Sequence, residues 1–99
     1  MLTIPVKTKN IGNIPVGVPY TIEYDITNNT ADPIEVGNII PGCGCTDATI
    51  LHNPIPSGVT SKFSCVFNAA ARGQFFKGPS FQETLSKETH NFKFSGKVV

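Results

Sequence analysis

The residues best suited to chemistry are Cys43 and Cys45, set either side of Gly44 in the run Pro41-Gly42-Cys43-Gly44-Cys45-Thr46. Paired thiolates are what soft metal ions select. Alternate side chains of an extended segment point to opposite faces, so both sulfurs converge on one ion only where Gly44 bends the chain. A structural zinc site needs four ligands. Cys43, Cys45 and His52 supply three, and Cys65 would have to leave an apolar face to join them. A two-thiolate copper(I) site and a small strained disulfide are the other chemistries this spacing permits. The reading preferred is structural: two small, polarizable side chains fill a tight β-bend whose glycines accept positive φ. On that reading Gly42, Cys43, Gly44, Cys45 and Thr46 identify the fold, and neither a metal nor a cofactor is expected.

The remaining reactive groups point the same way. Cys65 lies between Phe63 and Phe67 on an alternating face, where a free cysteine acts as a small hydrophobe. His90 shares a face with Phe92 and Phe94 and is expected to be a satisfied, semi-buried imidazole. Neither histidine has the nucleophile and orienting acid of a triad. Glu23 and Asp25 fall on the polar face of one strand and read as solvated, and a small sandwich offers little cleft for paired-carboxylate chemistry. No catalytic residue or small-molecule substrate is therefore expected. The aromatics are more informative. Phe75 and Phe76 are neighbours, so one of them must leave the core of any strand that holds them. With Phe81 they form a candidate protein interface, a setting in which Phe is enriched.

The elements that position these residues are strands. Eight Pro and nine Gly punctuate the whole chain, and no window shows a convincing helical period. Thr3–Lys9 reads as an edge strand interrupted by Pro5, and 10–19 as a connection rich in turn residues. Tyr20–Thr27 alternates Tyr20, Ile22, Tyr24 and Ile26 against Thr21, Glu23, Asp25 and Thr27, the pattern of a half-buried antiparallel strand. Ile34–Ile40 follows, with Gly37 marking a bulge or a change of sheet; then Thr46–Leu51, a rigid turn over 52–58, and Val59–Phe67. Residues 74–85 form one strand interrupted at Gly78-Pro79 or two separate ones, with their pairing left open. Residues 89–99 close the domain, with His90, Phe92, Phe94, Gly96 and Val98 on one face. About seven short, mostly antiparallel strands with turns between them predict an all-β, immunoglobulin-like β-sandwich over residues 1–99.

Composition narrows the function classes. Ninety-nine residues suit one domain, and no apolar run approaches a membrane span. The net charge is +1, with Lys and Arg scattered singly along the chain, so nucleic acid and membranes are not expected as partners. Met1–Lys7 lacks the basic start and apolar stretch of a signal peptide, and an odd cysteine count suits a reducing compartment. The expected location is the cytoplasm or a virion. The sequon Asn28-Asn29-Thr30 reads as a chance match in a turn.

The ordered set of turns carries a resemblance. An alternating strand ends in Asn28-Asn29-Thr30 and is followed by Asp32-Pro33-Ile34 and Cys43-Gly44-Cys45-Thr46. Pro56-Ser57-Gly58 precedes the strand ending at Phe67, and Gly73-Gln74-Phe75-Phe76-Lys77 and Gly96-Lys97-Val98 complete the order. Over about residues 18–99 this resembles the bacterial family of domains of unknown function whose signature is the same Cys-Gly-Cys-Thr turn. That family is similar to the immunoglobulin-like domains of major sperm protein, PapD-type chaperones and ASH proteins. The resemblance implies the fold and a non-catalytic character.

The expected role is that of a non-enzymatic structural or interaction protein with protein partners or self-association. Its concrete form is a phage or virion accessory, such as a capsid-decoration or head or tail component. The alternative is a bacterial binding module, periplasmic or cytosolic, that uses Cys43 and Cys45 for metal or redox handling.

Overall fold

The computed structural model describes residues 2–42 and 46–99, and the side chain of Thr46 is outside the description. Ten strands run in the order β1 (Leu2–Thr3), β2 (Thr8–Ile14), β3 (Tyr20–Asn28), β4 (Val36–Ile40), β5 (Thr46–Ile50), β6 (Thr60–Phe67), β7 (Gly73–Lys77), β8 (Ser80–Glu83), β9 (Thr89–Asn91) and β10 (Lys93–Val98). One layer is the four-stranded sheet β1-β3-β6-β5. The other contains β2-β10-β7 and β4-β8-β9. These two short sheets are one surface with an interruption. The β8–β9 register continues into β7–β10 through the Phe92 N–H, which donates to the Pro79 carbonyl at 2.9 Å. All pairs are antiparallel except β2 with β10, which is parallel.

Period-two alternation builds the core. Ile22, Tyr24 and Ile26 of β3 and Phe63, Cys65 and Phe67 of β6 point inward from the first layer and are buried. Phe81, Phe92, Phe94 and Val98 meet them from the second. Ring pairs span the interface: Tyr24–Phe92 at 4.8 Å, Phe63–Phe81 at 5.1 Å and Phe67–Phe75 at 4.4 Å between centroids. Such pairs add about 0.5–1.5 kcal/mol each beyond the area they bury. The Tyr24 hydroxyl also crosses the layers, donating to the Lys93 carbonyl at 2.7 Å. With desolvation by burial the larger cause and Cys65 the lesser, the Tyr24 phenol lies well above its ordinary range.

The expected fold class holds, and three details differ. First, 8–14 is a strand and not part of a connection. Its parallel ladder with β10 overrides the turn composition, and the turn residues make a bulge instead. The register shifts between Ser95 and Lys97, where Gly12 takes φ 71° and its N–H bonds the Asn10 side chain at 3.0 Å. Second, of the expected strand Thr3–Lys9 only Thr3, with Leu2 before it, pairs in the first layer; the chain crosses at 4–7 to begin β2 in the second. Third, 89–99 is split at Phe92; with 74–85 divided at Gly78-Pro79, one of the two expected alternatives, and the first segment divided between β1 and β2, the expected seven segments become ten. The anticipated irregularity at Gly37 is present as a register shift between Gly37 and Ile40.

The turns are held by side-chain amides. Asn28 Nδ2 donates to the Asp32 and Ile55 carbonyls at 2.8 Å, and its Oδ1 accepts from the Thr30 backbone N–H and hydroxyl. Asn28 is fully buried, so the sequon it begins cannot carry a glycan in the folded protein. Asn53 imitates a strand partner for Val36: its amide accepts from the Val36 N–H and donates to the Val36 carbonyl, both at 2.9 Å.

Candidate protein interface

The predicted site residues do not gather in one place. Cys43, Gly44 and Cys45 lie outside the described residues. The strands on either side of them belong to different layers, β4 in the second and β5 in the first. Gly42, at φ 93°, lies against Gly78 and Pro79, where an added Cβ would meet backbone at 3.0 Å. His52 is exposed, and its Nδ1 sits 3.1 Å from the Ser61 hydroxyl. Cys65 is buried, and burial pushes its thiol up to about 12.

Among the described residues one group has metal-ligating atoms close together: Glu83, Glu88 and His90, all within 4.8 Å of one another. Its geometry is that of a hydrogen-bonded pair. Glu83 and His90 are buried, and His90 Nε2 lies 2.6 Å from Glu83 Oε2. Two ligands on one ion, each about 2.0–2.2 Å from it, sit farther apart than that. His90 is therefore satisfied, as expected, but buried and not semi-buried, and Glu83 is the partner that the sequence did not disclose. Burial alone would raise the Glu83 carboxyl. The hydrogen bonds with His90 and then Glu88 outweigh it and hold the group below its usual range.

The three candidate interface aromatics separate. Phe81 is wholly buried and touches Phe63 and His90, so its place in an interface is corrected to a place in the core. The reason is strand parity: Phe76 and Phe81 are five residues apart and face opposite ways, whereas Phe81 shares the inward face of Phe75. Phe75 is half-buried and stacks on Phe67. Phe76 is 65% exposed and is the one that leaves the core.

Phe76 stands on the outer face of β2-β10-β7, opposite Ser95 in register. Lys93 Nζ lies 5.9 Å from its ring centroid, within cation–π range. A shallow groove of about 590 Å³ runs along this face, lined by Asn10, Asn13, Gln74, Phe76, Ser95 and Lys97 among others. The groove combines an aromatic ring, amides and cations, the mixture that accommodates a polar surface with an apolar anchor.

The charge on this sheet is not visible in the linear sequence. Lysines and arginines that are scattered singly in sequence are gathered by the fold. Of eight basic residues, six lie in or directly beside β2, β7 and β10: Lys7, Lys9, Arg72, Lys77, Lys93 and Lys97. None of the seven Asp and Glu residues does. Lys9 is turned toward the other layer, with its Nζ 2.5 Å from the Glu23 carbonyl and 5.3 Å from the Tyr24 ring. The carboxylates sit elsewhere, among them Asp25, whose carboxyl is held below its usual range by the Lys62 hydrogen bond and charge.

Comparison with known proteins places this geometry in context. Residues 2–98 match the family described as protein of unknown function, DUF1573. No curated protein matches the sequence. Among solved structures, a protein of unknown function from Porphyromonas gingivalis W83 is similar at TM-score 0.81 and 10% identity, over 98% of this chain and 46% of that one. The VesB protease of Vibrio cholerae is similar at TM-score 0.74 and 12% identity, over 98% of this chain and 32% of that one. The ASH / PapD-like domain of human CEP192 is similar at TM-score 0.70 and 14% identity, over 99% of this chain and 84% of that one. The chain thus spans less than half the length of the first two, and identities this low show the fold alone.

Proposed function

We propose a non-catalytic docking role for this chain, which belongs to the DUF1573 family of proteins of unknown function. The observation that carries the reading is Phe76. A large ring exposed by 65% beside a cation, on a groove-bearing face without carboxylates, is what a protein contact buries as its anchor. The size relationships support it: the same fold makes up 46% and 32% of two longer chains, as a module carried beside other domains does. The Cys43-Gly44-Cys45-Thr46 turn serves, on this reading, as the family's identifying corner and not as a reactive centre.

A virion accessory or capsid-decoration protein is one setting in which such docking operates, and a cytoplasmic assembly is another. Co-purification with particles distinguishes them. The metal or redox alternative would place the function at Cys43 and Cys45, and replacing both by serine would then abolish it.

The docking reading is tested by site-specific photo-crosslinking in the native cell. A photoreactive residue at Phe76 is expected to capture a discrete protein. One at Leu85, which is 90% exposed at another part of the surface, is expected to capture none. Equal labelling from both positions, or no adduct from Phe76, overturns the reading.

A further inference from the structure

The direction of the hydrogen bonds in β7 makes the interface more specific. In an antiparallel pair, opposed residues alternate between those that exchange backbone bonds and those that do not. The Phe92 N–H donates to the Pro79 carbonyl, which fixes the phase. Two residues on in each direction the bonded pairs are Phe94 with Lys77, Gly96 with Phe75 and Val98 with Gly73. Gln74 and Phe76 are then the residues whose N–H and C=O groups point away from β10. The other side of β10 agrees, because the Lys93 N–H donates to the Lys7 carbonyl toward β2. Among the described residues nothing pairs with the outer edge of β7.

Its charge sets this edge apart from β5, and its continuity sets it apart from β2. β5 is also an edge strand, but it carries Asp47 and no cation. The outer edge of β2 is broken by the bulge at Gly12, a device that blunts pairing. The β7 edge runs between two groups of cations. Lys93 and Lys97 stand on the face that exposes Phe76, and Arg72 and Lys77 line the recess on the opposite side of the same strand. An unpaired ladder with positive charge on both sides is complementary to one kind of occupant.

We propose that the outer edge of β7 accepts an acidic, extended protein segment as an added strand, paired to the backbone of Gln74 and Phe76. The segment's carboxylates face Lys93 and Lys97 on one side and Arg72 and Lys77 on the other, and an apolar residue covers the Phe76 ring. Backbone bonds supply affinity in this mode, and the flanking charges supply selection. The inference deepens the docking role above and rests on it.

The test uses the whole domain and a synthetic peptide of about ten residues, a strand's length, that alternates valine with glutamate. Its lysine-for-glutamate counterpart and a short single-stranded oligonucleotide serve as competitors. Binding is followed by backbone amide NMR, which also verifies that each variant is folded. The acidic peptide is expected to bind saturably, to shift Gln74 and Phe76 most, and to slow exchange of their amides. Lys93→Glu with Lys97→Glu should weaken it at least about tenfold. Gln74→Pro should do the same, because it removes an edge-facing N–H and leaves every β7–β10 bond in place. Equal binding of the lysine peptide, tighter binding of the oligonucleotide, or an unchanged affinity in Gln74→Pro overturns the proposal. If no peptide binds while Phe76 still crosslinks a protein, the acidic-strand assignment falls and the docking role stands; if the crosslink is also absent, both fall.

Discussion

Glu83 and His90 are buried beside Phe81, and the 2.6 Å hydrogen bond between them is what makes that burial tolerable. Removing one partner of such a pair costs about 3–5 kcal/mol, whereas replacing both by apolar groups costs far less. His90→Ala is therefore expected to lower stability by roughly 3 kcal/mol in denaturant titration, and Glu83→Met combined with His90→Leu to lose less than His90→Ala alone. The pair also sets a pH dependence. The folded Glu83 carboxyl is held below its ordinary range, so its contribution is present above the unfolded value of about 4.3 and is lost as pH falls through the folded one. Stability measured by circular dichroism should decline in that acid range, and less steeply in Glu83→Gln. Asp25 is lowered too and acts in the same direction, so Asp25→Asn supplies the background. An identical acid slope in Glu83→Gln and the parent would contradict the assignment. His90 was legible from sequence because its parity with Phe92 and Phe94 needs only local alternation. Glu83 was not, because its nearness to His90 depends on the register of β8 against β9, which sequence period does not fix.

At the scale of elements, β2 is the strand that composition concealed. Asn10, Gly12 and Asn13 are turn formers, yet they lie in a parallel ladder with β10. What permits this is a close approach at Gly96. A Cβ there would meet the Gly12 carbonyl at 2.5 Å and the Phe75 ring at 2.9 Å. Gly96→Ala is expected to cost about 1–3 kcal/mol by forcing these groups apart. Hydrogen exchange should show the loss concentrated in β2, with β3 and β6 protected as before. Uniform acceleration across both layers, or no change in β2, would be the contrary result. The strands that sequence did disclose, β3 and β6, are those with one wet and one dry face, where period two is written directly. β2 has no continuous apolar face, since only Ile14 of its seven residues is buried, so its existence depends on a partner far along the chain.

For the whole molecule the informative quantity is the distribution of charge, because the net value of +1 conceals it. Six cations in and beside β2-β10-β7 leave two for the rest of the molecule, which holds all seven carboxylates. Sequence could not show this grouping, since Lys7 comes beside Lys93, and Lys97 beside Gln74 next to Arg72, only through the parallel and antiparallel pairs of β10. The fold class, by contrast, was legible from turn spacing, and the exposure of one of Phe75 and Phe76 from their adjacency. The central claim is that this cation-bearing, Phe76-centred face is where another protein docks. It is tested most directly by charge reversal on opposite layers, with recovery of the complex from native cells as the readout. Lys93→Glu with Lys97→Glu should abolish recovery of the partner captured through Phe76, while Glu23→Lys with Asp25→Lys on β3 should leave it intact. Full recovery with the first pair reversed, or loss only with the second, would contradict the account.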